Sequence, residues 1–191
     1  MNPLASWVAL ALDLLGSLAL LTWRALVLHE AEALFPGGAG LRRSLLWGGG
    51  LGSALLMAGL IGLPAMGAAV ADNSSTGLLL ETVKPLLFDP GLVLLLPLLV
   101  LAEEGLWRGL MLSALLEVGL APGWALGLST LGFSLNHLAV APLALSERAE
   151  LALMALPLGL IAAVLTWRTR CLWGAVLLHG MLIGAMLASL R

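Results

Sequence analysis

The sequence predicts an all-α fold, a polytopic transmembrane helix bundle with about six spanning helices. Of the 191 residues, 61% are hydrophobic and only 10% are charged, and the mean hydropathy is +1.06. Soluble domains carry roughly 45–50% apolar and about 25% charged residues. The apolar residues also form long runs, each close to the about 20 residues that a helix needs to cross a bilayer. We therefore expect an integral, multi-pass membrane protein in contact with the lipid bilayer.

Turn-forming and charged residues separate the predicted spans. The spans cover residues 4–28, 45–70, 91–118, 123–140, 150–167 and 172–190. The first is followed by Pro36-Gly37-Gly38, the third by Pro122-Gly123 and the fifth by Arg168-Thr169-Arg170. The longest link is predicted to hold a short interfacial helix from Leu78 to Leu87. Each break is a place where an apolar helix is expected to end.

The first two spans have features of their own. No basic residue precedes Arg24, and Asp13 interrupts the first apolar run. A cleavable signal peptide would show a basic start and a short apolar core, so we expect a retained helix. The second span is crowded with glycine, including Gly48-Gly49-Gly50 and Gly52. Small residues let membrane helices approach closely, which favours a packing role for this helix.

Charge and cysteine content limit the function classes. A net charge of −2 gives no electrostatic case for a nucleic-acid partner. The single cysteine, Cys171, excludes an intrachain disulfide and a four-cysteine metal site, and we expect it to pack at a helix end. Four arginines lie in links that share one side of the bundle: Arg42, Arg43, Arg168 and Arg170. The positive-inside rule then predicts that both termini lie outside, and the small size suggests a bacterial cell membrane.

Adjacent carboxylates in the third span, Glu103 and Glu104, are the most informative feature of the chain. A charged side chain at the bilayer centre costs about 3 kcal/mol on insertion scales, so it marks a functional site by default. Glu104 and Arg108 are four residues apart and share a helix face, which predicts a structural ion pair. Glu103 lies about 100° away around the helix and is therefore expected to face a cavity.

Two further spans supply histidines, His137 in the fourth and His179 in the sixth. One carboxylate and two imidazoles from separate helices can activate a water molecule. Glu103 would then act as general base, one histidine would hold the water, and the other would stabilise the oxyanion. Phe133 shares a face with His137, and Asn136 precedes it. The sequence thus predicts a hydrolytic site.

Zinc is the alternative use of Glu103, His137 and His179, because two histidines and one glutamate form a known catalytic zinc set. The HExxH spacing of zinc proteases is absent from the chain. We therefore favour a mechanism without metal and expect no cofactor.

Three motifs in order carry a family resemblance. Glu103-Glu104-Gly-Leu-Trp-Arg108 resembles the EExxxR motif of the CPBP family, and Phe133-Ser-Leu-Asn-His137 resembles its FxxxH motif. The stretch from Thr169 to His179, with Trp173 six residues before the histidine, resembles its third region. That family comprises CAAX prenyl proteases of the Ras-converting type and bacterial bacteriocin-processing or self-immunity relatives. The likeness divides the chain into N-terminal membrane helices with an interfacial linker, 1–89, and a CPBP-like catalytic core, 90–191.

The resemblance implies an intramembrane endopeptidase of the glutamic type, acting on a peptide or protein substrate at the membrane. It implies that Glu103 is the general base, that His137 helps to hold the water, and that His179 belongs to the oxyanion-stabilising side. The remaining motif residues, Glu104, Arg108, Phe133 and Asn136, would support them.

One position departs from the family pattern. The family usually has Asn four residues after its last histidine, where this chain has Ile183. Loss of an oxyanion donor typically costs about 10²–10³ in rate, and Asn136 is a substitute donor to consider. The alternative function is therefore a weakly active or inactive membrane partner or immunity protein. A proton-coupled transporter using Glu103, Glu104 and His137 is disfavoured, because no internal repeat is evident.

Overall fold

The computed structural model describes residues 3–26, 38–70, 90–141 and 143–189. Within these residues every regular element is helical, which confirms the predicted all-α class. The helices are α1 Pro3–Leu26, α2 Gly38–Val70, α3 Pro90–Glu104, a π-helical segment Gly105–Met111, α4 Leu112–Glu117, α5 Pro122–Val140, α6 Leu145–Thr169 and α7 Trp173–Ser189. Because α3, the π-helical segment and α4 are continuous, they form one helix. Each predicted apolar span falls on one of the resulting six helices.

By helix length and hydropathy, fewer described helices qualify as membrane spans than the sequence predicted. Among the described residues, one helix, α6, is long and apolar enough to cross a membrane. A shorter apolar stretch covers Trp173–Met186 in α7. The structure therefore confirms the six helices without establishing that each one spans the bilayer. The predicted interfacial helix, residues 78–87, lies outside the described residues.

Glycines hold α2 against α7. A side chain at Gly48 would collide with the backbone of Gly174, so the two helices meet with no side chain between them. One turn earlier, Ser44 Oγ donates to the Cys171 carbonyl at 3.0 Å and accepts the Gly174 N–H at 2.9 Å. These contacts confirm the packing role predicted for the glycine-rich second helix. Cys171 itself is fully buried, as expected of a residue packed at a helix end.

The core beneath the polar centre is formed by α5, α6 and α7. Its fully or nearly buried members are Phe133, Ala155, Leu158 and Leu178. Trp107 and Leu182 pack against this cluster from the π-helical segment and from α7. Burial of this apolar cluster holds together the helices that carry the motif residues.

Polar contacts tie the helix ends together. Arg24 Nη2 in α1 donates to Glu117 Oε1 in α4 at 2.9 Å. At the opposite end of α5, Arg148 donates to the carbonyls of Leu138 at 3.0 Å and Leu143 at 2.9 Å. Carbonyls at a helix C-terminus have no partner within the helix, so the buried guanidinium replaces water there.

The links rich in arginine meet at one end of the bundle. A side chain at Gly40 would touch the Thr169 carbonyl, so α2 begins where α6 ends. The hydrogen bonds of Ser44 bring the start of α7 to the same place. The shared end predicted for the four link arginines agrees with these contacts.

Candidate active site

The two glutamates end α3 at the point where the helix widens into the π-helical segment. There the Leu112 N–H donates to the Trp107 carbonyl, five residues earlier. Ser129 Oγ in α5 donates to the same carbonyl at 2.6 Å. A π-helical turn inside an α-helix is frequently found at functional sites. Nothing in the sequence predicted this widening.

Glu104 is fully buried and holds two partners with one oxygen. Its Oε1 accepts from Arg108 Nη1 at 3.1 Å and from His179 Nδ1 at 2.9 Å. The first contact confirms the ion pair predicted from the four-residue spacing. The second contact was not predicted, and it assigns the ring proton of a neutral His179 to Nδ1, because a carboxylate only accepts.

Arg108 is fully buried and links three helices. Its Nη2 donates to the Gly159 carbonyl in α6 at 3.1 Å. Its guanidinium carbon lies 4.1 Å from the centre of the Phe133 ring in α5, which is a cation–π contact. These contacts agree with the structural role that the sequence indicated for Arg108.

Glu103 has the opposite environment. Its carboxylate makes no hydrogen bond with any residue that the structure describes. Glu103 Oε2 lies 3.9 Å from His179 Nε2, beyond direct hydrogen-bond distance. A separation of this size between two polar atoms suits a bridging water. The sequence predicted that Glu103 faces a cavity, but the residue is buried and lines none of the three cavities described below.

His137 is oriented by its own helix. Its Nδ1 donates to the Phe133 carbonyl at 2.9 Å, and its Nε2 takes no part in this hydrogen bond. The Phe133 ring lies edge-on to both imidazoles, 4.9 Å from His137 and 5.7 Å from His179 between ring centres. Both histidines interact electrostatically with Glu103. The structure thus places both imidazoles against one aromatic ring, with the Glu103 carboxylate near His179.

Asn136 was expected as a substitute oxyanion donor, and in the structure its side chain contacts α1. Its Nδ2 donates to Asp13 Oδ2 in α1 at 3.3 Å. Asp13 also interacts electrostatically with Glu103. Sequence reasoning left Asp13 out of the site, although a carboxylate inside the first apolar run was the available signal. Ile183 is half-buried one turn beyond His179.

Cavities and metal-binding geometry were sought across the described ranges. Within them, no group of three or more His, Cys, Asp or Glu side chains is arranged to hold a metal ion. Three described cavities measure about 450, 740 and 470 Å³. None of these three is lined by Glu103, His137 or His179.

In the part of the chain that the structure describes, a helical bundle holds a carboxylate near two oriented imidazoles, and this arrangement defines the class of protein as a candidate helical hydrolase. The family model for "Type II CAAX prenyl endopeptidase Rce1-like" matches residues 85–183, and the chain belongs to this family. The match includes all three motifs that carried the resemblance. Membership implies a membrane-embedded protease, which is a hydrolase. No curated protein matches the chain, and no solved structure does.

Proposed function

We propose that this protein is a multi-pass intramembrane endopeptidase of the glutamic type, in which Glu103 activates water to cleave a peptide bond. The observation that carries the proposal is the 3.9 Å separation between the unbonded Glu103 carboxylate and His179 Nε2. The substrate is a peptide or protein segment at the bilayer, since the polar centre lies within apolar helices. A bacterial cell membrane is the proposed location.

The first step is activation of the water. With its Nδ1 proton donated to Glu104, a neutral His179 presents the Nε2 lone pair towards Glu103. A water between them would donate one hydrogen to Glu103 and the other to His179, leaving an oxygen lone pair for the substrate. Glu103 takes the proton as that oxygen attacks the carbonyl carbon.

The second step is collapse of the tetrahedral intermediate. A new C–O bond leaves negative charge on the former carbonyl oxygen, and a protonated His137 would donate to it from Nε2. The C–N bond then breaks, and Glu103 returns its proton to the leaving amine. The resemblance implied that His137 holds the water and that His179 stabilises the oxyanion. Because His179 Nε2 lies 3.9 Å from Glu103, we propose these two roles the other way round.

Other side chains position Glu103, His137 and His179. Glu104 fixes His179, Arg108 holds Glu104, and the Phe133 ring packs edge-on against both imidazoles. The proposed chemistry needs no cofactor. Zinc at Glu103, His137 and His179 is the competing arrangement, and the chelator in the test below distinguishes the two.

The test is peptide cleavage in liposomes. Purified wild type and Glu103→Gln are incubated with quenched fluorescent peptides, with and without a zinc chelator. We expect cleavage by wild type that the chelator does not affect, and loss of at least about 100-fold in Glu103→Gln. Glu117→Gln is the matched control, because Glu117 is largely exposed in an ion pair with Arg24.

Two results would overturn the proposal. Full activity in a folded Glu103→Gln protein would remove the carboxylate from the mechanism. Activity that is lost on chelation and restored by zinc would assign the site to a metal. Helicity measured by circular dichroism distinguishes a chemical defect from an unfolded variant.

A non-catalytic partner protein is the second candidate function. Two observations favour it: Ile183 occupies the position of an expected donor, and the three described cavities avoid the site. If a missing donor limits the reaction, Ile183→Asn should increase cleavage by roughly 10- to 100-fold. A partner captured equally by wild type and Glu103→Gln, with no cleavage by Ile183→Asn, would favour the non-catalytic function.

A further inference from the structure

A groove of about 450 Å³ runs between α2 and α6, apart from the candidate active site. It begins at the end of the bundle where α2 starts and α6 finishes. Its lining residues are Arg43, Trp47, Leu51, Leu160, Ile161, Val164, Leu165, Arg168 and Thr169. Two cations therefore lie at one end, and the rest of the groove is almost entirely apolar.

Arg43 and Arg168 both line the groove. Both side chains are exposed, and they come from different helices that line the same groove. The guanidinium carbon of Arg168 lies 4.8 Å above the Trp167 ring, which restricts its position. Arg43 makes no hydrogen bond or ion pair with any described residue. None of the described residues that line the groove is acidic, so the charge that they contribute is of one sign.

The apolar part extends away from these charges along the helices. Arg43 and Leu51 are eight residues apart in α2, which corresponds to about 12 Å along the axis. Arg168 and Leu160 give the same spacing in α6. A soluble anion would use only the charged end. A ligand that satisfies both parts has an anionic head and a hydrocarbon tail.

We propose that this groove binds one anionic phospholipid, with its phosphate between Arg43 and Arg168 and an acyl chain against Leu51, Leu160 and Ile161. Basic pockets between membrane helices are a recognised way of holding acidic lipid headgroups. The proposal is independent of the peptidase chemistry, because no residue of the candidate active site lines the groove.

The test is native mass spectrometry of the full chain in detergent, titrated with phosphatidylglycerol or phosphatidylcholine. We expect a single tight adduct with phosphatidylglycerol and weaker binding of phosphatidylcholine. Arg43→Gln and Arg168→Gln should each weaken phosphatidylglycerol binding about fivefold. Arg42→Gln is the matched control: Arg42 is the exposed neighbour of Arg43 but does not line the groove, so we expect no change.

A second variant tests the apolar part. Ile161→Trp should fill the groove and weaken both lipids while the unfolding temperature stays near that of wild type. Equal loss in Arg42→Gln and Arg43→Gln would overturn the proposal, because it would indicate only general surface charge. Equal affinity for the two lipids would also overturn it. Neither outcome depends on whether Glu103 is catalytic.

Discussion

Neighbouring glutamates with identical side chains have different environments at the centre of this bundle. Glu104 Oε1 receives two hydrogen bonds, from Arg108 and His179. Glu103 receives none from the described residues. A buried carboxylate with strong donors is fixed in place, whereas an unbonded one can accept a proton from water. On the proposed mechanism, the pair therefore divides a structural task from a chemical one at adjacent positions.

The division predicts unequal effects of the same substitution. Glu104→Gln removes the charge partner of buried Arg108 and releases His179, so we expect the free energy of unfolding to fall by about 3 kcal/mol. Glu103→Gln breaks no hydrogen bond to a described residue and should change the free energy of unfolding by less than about 1 kcal/mol. Equilibrium unfolding of both variants in the same detergent measures the difference. Equal destabilisation would contradict this division.

At the scale of elements, α5 connects the widened turn to the histidine. Ser129 donates to the Trp107 carbonyl in the π-helical segment, and Ser134 donates to the Ala152 carbonyl in α6, both at 2.6 Å. The two hydrogen bonds are matched in chemistry, helix and length. They differ in that only the first reaches the segment next to the glutamates.

A comparison of Ser129 with Ser134 tests whether the π-helical segment matters for activity. Ser129→Ala and Ser134→Ala should each lower the free energy of unfolding by about 1 kcal/mol, since each removes the hydrogen bond of a buried serine. Only Ser129→Ala should also lower kcat, by about tenfold, because it loosens the segment that positions Glu103 and Glu104. Parallel unfolding and peptide-cleavage measurements separate the effects. A similar kcat for both variants would count against a role for this segment.

The C-terminal end of α5 depends on Arg148, which donates to three carbonyls around the following turn. Arg148→Gln should leave these carbonyls unpaired, lower the free energy of unfolding by about 2 kcal/mol, and speed amide exchange near His137. Hydrogen exchange of residues 137–143 measures this. The comparison is the ion pair between Arg24 in α1 and largely exposed Glu117 in α4, where Glu117→Gln should cost less than about 1 kcal/mol.

Local spacing predicted some contacts and missed others for a physical reason. The Glu104–Arg108 pair is separated by one helical turn, so helix periodicity was sufficient. The Asn136–Asp13 contact joins residues 123 positions apart, and no periodic pattern encodes it. The π-helical turn was missed because contacts from another helix, such as that of Ser129, accompany it. The six helices were predictable because long apolar runs are a strong local signal.

At the scale of the whole molecule, His137 lies farther along its helix from the end that is rich in arginine than His179, which is six residues, or about 9 Å, into α7. His137 follows Pro122, at the start of α5, by fifteen residues, or about 22 Å of helix. The start of α5 is near α4, whose Glu117 pairs with Arg24 at the arginine-rich end. The positive-inside rule puts this end in the cytoplasm, so His137 is expected to lie in the outer half of the membrane.

This orientation predicts which positions a membrane-impermeant thiol reagent reaches. Ser146 and Ala121 are both exposed but lie at opposite ends of the bundle. In a Cys171→Ser background, Ser146→Cys should be labelled in intact cells, and Ala121→Cys only after permeabilisation. The reverse pattern would show that the arginine-rich end faces outwards and that the charge rule fails for this protein.

The close approach of α2 to α7 bears on how freely the sequence can vary. Gly48 lies outside the residues that the family model matches, yet it touches Gly174 five residues before His179. Any larger side chain at either glycine would push away the helix that carries the histidine. Mutational tolerance at Gly48 should therefore be as low as at the motif positions, although Gly48 takes no part in the chemistry.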